Sequence, residues 1–203
     1  MSAPMLRLGL VGAGWNATHN LLPSIARLDG VVVAAVCDSD RERAVGCAHR
    51  LGADGAYADY RTMLADARLD GVIVSVGPQV HSKVAIDAMG AGLHVFLEKP
   101  PAMCTADVEE VARTSRMTGR VCMTGFRKRF MPALQRAKVI IGSPEFGEQV
   151  LLSVVATSGR FTNLPDKPTT WFLLDYGIHV LDLVRFLFGE VADVAAWSAG
   201  SHA

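Results

Sequence analysis

The sequence has no surplus of either charge. Twenty Lys and Arg balance twenty Asp and Glu over 203 residues, so nothing in it draws a polyanion, and no basic tail is available to hold nucleic acid. No apolar run approaches the roughly 18 residues that span a bilayer. The apolar start "MLRLGLVGAG" carries Arg7 as its lone basic residue, too little for the charged leader of a signal peptide. Nucleic acid and membrane are therefore not expected as partners. Cys37, Cys47, Cys104 and Cys122 form no C-x-x-C pair and show no partner spacing, and they read as reduced thiols of a cytoplasmic protein. There is no internal repeat, low-complexity tract or long linker.

What is present is the composition of a soluble globular chain, half hydrophobic and one fifth charged, long enough for one large domain or a domain and a part. Apolar runs "LRLGLV", "VVVAAVC", "GVIVSV", "HVFLEKPP" and "VCMTGF" read as strands, and helical patterns separate them. A helix is predicted over Asn16–Leu28, with Pro23 tolerable only near a first turn. Another, "RERAVGCAHRLG", is closed by Gly52, and "TADVEEVARTSRMTGR" has Thr105 as N-cap and Gly119 after its end.

Continuously apolar strands alternating with helices imply an α/β fold, a doubly wound parallel sheet covered on both faces. Such sheets hold ligands at the carboxyl ends of their strands. After about Arg127 the rhythm changes. "FMPALQRAKVIIG" and the strongly apolar "DYGIHVLDLVRFLFG" read as helices, "GEQVLLSVVATSG" and "VADVAAWSAG" as strands, and "PDKPTTW" as a Pro-rich loop. Residues 1–126 thus form the expected doubly wound domain, and 127–203 begin an α+β domain that does not finish.

Three stretches carry chemistry. In "LGLVGAGWNATHN", Gly12 allows a tight turn, Gly14 lets a pyrophosphate approach the backbone, and Ala17 stands where a third, packing glycine is usual. The loop follows a strand and opens a helix, whose N-terminus favours phosphate. Asp38 ends the second strand at the distance where an acid accepts both ribose hydroxyls of NAD, while Arg41 and Arg43 close by could take a 2′-phosphate instead. At the end of "HVFLEKPP", Glu98 and Lys99 are either solvated strand-end charges or a lysine beside a substrate oxygen. In "DYGIHVLD", Asp175, His179 and Asp182 fall on one helix face. A core histidine beside a carboxylate, a zinc site without a third strong ligand group, and a carboxylate-oriented general base all fit that spacing.

In combination these stretches resemble the Gfo/Idh/MocA family of NAD(P)-dependent oxidoreductases, which act on sugars, inositols and related polyols. "GLVGAGWNATH", "VCDSD", "DGVIVSVGPQVHSKVAIDAMGAGLHVFLEKP", "GFRKRFMPAL" and "DYGIHVLDLVRFLFGE" occur in family order along nearly the whole chain. The resemblance implies a Rossmann domain followed by a mostly antiparallel sheet that carries the substrate site and an oligomer interface, hence a homo-oligomer. It implies a catalytic group of Lys99, Asp175 and His179. No metal is expected, since no third strong ligand group joins Asp175 and His179. The cofactor is expected to be NAD, with NADP the other candidate, held by Gly12, Gly14, Trp15, Asn16, Asp38, Pro78, His81, Glu98 and Lys99. Arg127, Lys128 and Arg129 could meet an anionic substrate or form a solvated turn.

Two departures stand out. The usual T-P-N is Gly77-Pro78-Gln79, and family members continue well past Ala203, so the chain is expected to be C-terminally truncated. The reading from another class is a binding or regulatory protein that keeps the nucleotide fold without catalysis.

Overall fold

A computed structural model describes residues 5–157 and 173–197. The predicted loop "PDKPTTW" and the last residues of "VADVAAWSAG" lie outside them. The chain divides into two compact units, Met1–Gly125 and Phe126–Ala203.

The first unit contains β1 (Leu6–Val11), α1 (Leu22–Ile25), β2 (Val31–Cys37), α2 (Arg41–Leu51), β3 (Gly55–Tyr57), α3 (Tyr60–Asp66), β4 (Gly71–Val74), α4 (His81–Gly90), β5 (His94–Leu97), α5 (Thr105–Thr118) and β6 (Cys122–Thr124). All strand pairs are parallel, in the order β3-β2-β1-β4-β5-β6. This is the doubly wound order whose direction of winding reverses at β1/β4, where a crevice opens. Both faces are covered. Val72, Val74, Val95 and Leu97 pack with α4 and α5 residues on one side; Leu10, Val36 and Ile73 pack with Ala44 and Cys47 of α2 on the other. A register shift between Leu8 and Gly9 leaves Ala34 of β2 without an opposite number, so Val33 and Val36 share a face.

Local chemistry sets the ends. Asp40 and Asp59 cap α2 and α3 through backbone N–H groups, and Gly52 and Gly119 close α2 and α5 at φ 64° and 66°. Cys104, one residue before the predicted Thr105, occupies the cap of α5 and makes no side-chain bond there. The helix predicted over Asn16–Leu28 runs unbroken to Ile25, with a π-helical turn inside it. The π-helical turn spans Ala17–Leu21, and Pro23 follows directly after it in α1, beside the turn whose wider winding accommodates a residue with no N–H to give.

In the second unit, Pro132 opens α6 (Pro132–Ile141), and α7 (Ile178–Phe188) follows another π-helical turn, Leu173–Gly177. The segments read as strands do not form strands among the described residues. Val150, Leu151, Val155, Val194 and Trp197 are 82% exposed or more. A strand exists only beside a neighbour that takes its N–H and C=O groups, and no described segment of this unit forms a ladder with either one.

The cysteines differ in access: Cys37 and Cys47 are buried, and Cys104 is exposed. Burial, then the carboxylates of Asp59 and Asp38, push the Cys37 thiol up to about 11, so it offers little thiolate at neutral pH. Maleimide labelling of the native chain at pH 7, followed by peptide mapping, is expected to modify Cys104 first and Cys37 only after denaturation.

Candidate dinucleotide site and catalytic residues

The carboxyl ends of β1, β2, β3 and β4 open on a cleft of about 660 Å³. Gly12 and Gly14 line it, with Asp38, Ser39 and Arg43 from the β2 side, Asp59, Tyr60 and Arg61 from the β3 side, and Ser75, Val76 and Gly77 after β4.

The two loop glycines do different work. Gly12 has φ 93°, its N–H donates to the Cys37 carbonyl at 2.8 Å, and a Cβ on it would lie 2.2 Å from the Ser75 carbonyl oxygen. It lets three strand ends converge. A Cβ on Gly14 would meet no protein atom within 4 Å, so a side chain there would fill cleft space. Ala17 is fully buried in the core beneath the loop, consistent with packing as the role of that position.

Asp38, 7% exposed, is held from several directions. Its Oδ2 accepts the Ala13 N–H and its Oδ1 the Asp40 N–H, both at 2.9 Å, while the Arg43 guanidinium stands at 3.4 Å. Arg43 also reaches Asp40 at 3.1 Å. On the β3 side, the Tyr60 hydroxyl donates to Asp87 at 2.7 Å and Arg61 pairs with the same carboxylate at 3.2 Å. Burial and the Asp87 bond push the Tyr60 phenol up to about 12. The β3 wall was not legible in the sequence: a three-residue strand leaves no periodic mark, and "ADYR" reads only as a helix start.

The other predicted cofactor residues lie around this cleft or apart from it. Asn16 donates to Ser75 Oγ at 3.3 Å and accepts from Asn20. Trp15, 69% exposed, stacks on His19 with centroids 4.9 Å apart. Pro78 starts a short 3-10 turn before α4. His81 begins α4 as expected, yet its ring is spent on backbone carbonyls and does not line the cleft. At the end of β5, the Glu98 carboxylate accepts the Lys99 N–H at 3.1 Å and lies beside Gly125. The Lys99–Pro100 bond is cis.

In the second unit, Asp175 lies in the π-helical turn and His179 in the first turn of α7. Residues four apart stay near one face in either kind of turn, so the π-helical turn leaves Asp175 and His179 on neighbouring positions of the helix surface. The Phe126 ring meets His179 edge-on at 6.5 Å, and the Lys128 ammonium lies 5.7 Å from the Tyr176 ring centre.

Asp182 is buried and paired. Its carboxylate takes Arg129 Nε at 2.9 and 3.0 Å and a terminal nitrogen at 2.6 Å, and Arg129 also covers the Phe186 ring. Arg129 is thus committed to α7, which removes it from the candidates for a substrate anion. Removing the arginine strands a buried charge, whereas removing the acid leaves a partly exposed cation that water can reach. Arg129→Met is therefore expected to cost about 3 kcal/mol or more and Asp182→Asn about 1–2 kcal/mol, an order that urea titration checks. At the other end of α7, Lys138 donates to the Leu187 carbonyl at 3.1 Å, a cation where the helix dipole is negative.

The fold and this cleft match a known family. The model of the oxidoreductase family with an NAD-binding Rossmann fold, Gfo/Idh/MocA, matches residues 6–126. The chain belongs to this family. Among its relatives, a 4-carboxy-2-hydroxymuconate-6-semialdehyde dehydrogenase from Sphingobium sp. is 30% identical across 97% of the chain. An inositol 2-dehydrogenase from Salmonella typhimurium is 30% identical across 91%. The chain spans 64% and 55% of the lengths of those proteins. A dehydrogenase from Chromobacterium violaceum superimposes with a TM-score of 0.78 at 28% identity, over 91% of this chain and 55% of its own.

The Gfo/Idh/MocA assignment makes NAD the expected occupant of the cleft, and the residues present fit it. Gly14 leaves open space at the phosphate loop, and Asp38 presents a carboxylate at the end of β2.

Proposed function

We propose that the chain carries the dinucleotide site and the acid–base residues of a dehydrogenase that moves a hydride between a nicotinamide and a secondary alcohol or ketone of a sugar, inositol or related polyol. The observation that carries this reading is the cleft itself, with open space at Gly14 where a diphosphate is expected and Asp38 on the wall where a ribose is expected.

NAD, when bound, supplies the carbon that accepts the hydride. The chain's own residues manage the proton and the charge. His179 takes the hydroxyl proton as neutral imidazole. Lys99, as a cation, stabilises the oxygen that becomes negative. Asp175 holds the hydroxyl and the base. These roles follow from the family resemblance. The test is NADH formation by the full gene product on a panel of inositols, pentoses and hexoses; activity on none of them overturns the reading, and NAD binding without turnover favours a regulatory protein.

NAD is the proposed preference over NADP, because a carboxylate at Asp38 repels a 2′-phosphate. Asp38→Ala is expected to shift the ratio of NADP to NAD affinity about tenfold toward NADP, near 1.4 kcal/mol. Calorimetry with both dinucleotides checks it, and tighter NADP binding by the unaltered protein overturns the preference.

A further inference from the structure

His81 stands outside every role described so far. Its ring is 1% exposed, and each ring nitrogen faces a backbone carbonyl: Nδ1 lies 2.7 Å from Pro100 O and Nε2 lies 3.0 Å from Val76 O. Val76 is part of the cleft wall after β4, and Pro100 follows Lys99 directly. The ring therefore sits between the loop after β4 and the loop after β5, and the nitrogen that carries the proton bonds one of them. A histidine needed only to start α4 could leave its ring in solvent, and one that contacted the dinucleotide would line the cleft.

We propose that His81 is a positioning residue for Lys99. Its Nδ1–H fixes the Pro100 carbonyl, and with it the backbone that aims the lysine ammonium. A neutral imidazole carries a single N–H, and the proposal places it on Nδ1, toward the nearer carbonyl. The inference rests on the reading of Lys99 as the cation that stabilises the alkoxide.

The two amides of similar shape separate the two ring positions. An asparagine amide nitrogen sits where Nδ1 is and retains the bond to Pro100; a glutamine amide nitrogen sits where Nε2 is, faces the Val76 carbonyl and leaves the Pro100 carbonyl without its donor. If the ring only fills space, glutamine, nearer in volume, substitutes better. If the ring positions Lys99, asparagine does.

The experiment measures kcat on myo-inositol, scyllo-inositol, D-xylose and D-glucose, and NAD affinity by calorimetry, for the full gene product and its variants. A displacement near 1 Å can cost 10²-fold, so His81→Gln is expected to lower kcat about 30-fold and His81→Asn less than about fivefold, with NAD affinity within about threefold in both. Native-like kcat in His81→Gln, or an equal loss in the two variants, overturns the proposal. If His81→Gln does not fold by circular dichroism, His81→Asn decides alone: near-native kcat supports the tie, and a loss as deep as that of Lys99→Ala overturns it. Lys99→Ala with intact turnover overturns the reading of the lysine itself, and no turnover of any panel member overturns the dehydrogenase reading; with either, the proposal falls.

Discussion

His179→Ala is expected to lower turnover about 10²- to 10⁴-fold, the range that a positioned general base contributes. NAD affinity should stay within about threefold, because the dinucleotide cleft is built entirely from the first unit, at the carboxyl ends of β1 to β4. The substitution thus separates chemistry from cofactor binding. Single-turnover NADH formation gives the chemical step, and calorimetry gives the binding step. Turnover within about threefold of the unaltered protein would remove His179 from the role of base. A parallel loss of NAD affinity would mean that the ring acts on the cleft and not on the hydroxyl.

Gly12→Ala is expected to be the most damaging single methyl in the first unit. The added carbon would lie 2.2 Å from the Ser75 carbonyl oxygen, and its φ of 93° is one that a side chain resists. The atom in the way is backbone, pinned by the Ser75 N–H bond to Val11 O at 2.8 Å. Relief requires the ends of β1 and β4 to part. A cost of about 4 kcal/mol or more would consume much of a typical folding margin. Gly14→Ala provides the contrast, because its methyl meets nothing in the protein. It should fold with an unchanged midpoint in urea and bind NAD at least about tenfold more weakly, since a diphosphate must then meet a side chain. Equal midpoints for the two variants would contradict the placement of Gly12.

Much of the cleft was legible because its parts leave marks in the chain. The continuous apolar runs of β1, β2, β4 and β5 announce buried parallel strands, and Asp38 ends the second of them. Other features leave no such mark. The π-helical turns at Ala17–Leu21 and Leu173–Gly177 insert a residue into a helical pattern without breaking its polarity. Arg129 and Asp182 meet across 53 positions, and only folding brings such a pair together. The direction of the His81 ring depends on two carbonyls from separate loops, which no local pattern encodes. Residues 147–157 show the opposite error: their strand propensity was plain, but a strand is a property of two segments.

Asp38 also constrains how a family member of this kind can change cofactor. The carboxylate that would recognise a ribose is the same one that anchors the Ala13 N–H in the phosphate loop. A mutation that removes it to admit a phosphorylated cofactor also slackens the loop on which any dinucleotide depends. Preference and rigidity are therefore inherited together. A lineage, or an engineer, that exchanges one cofactor for the other needs a second substitution to re-anchor the loop, and the single-step path passes through an enzyme that holds both cofactors poorly.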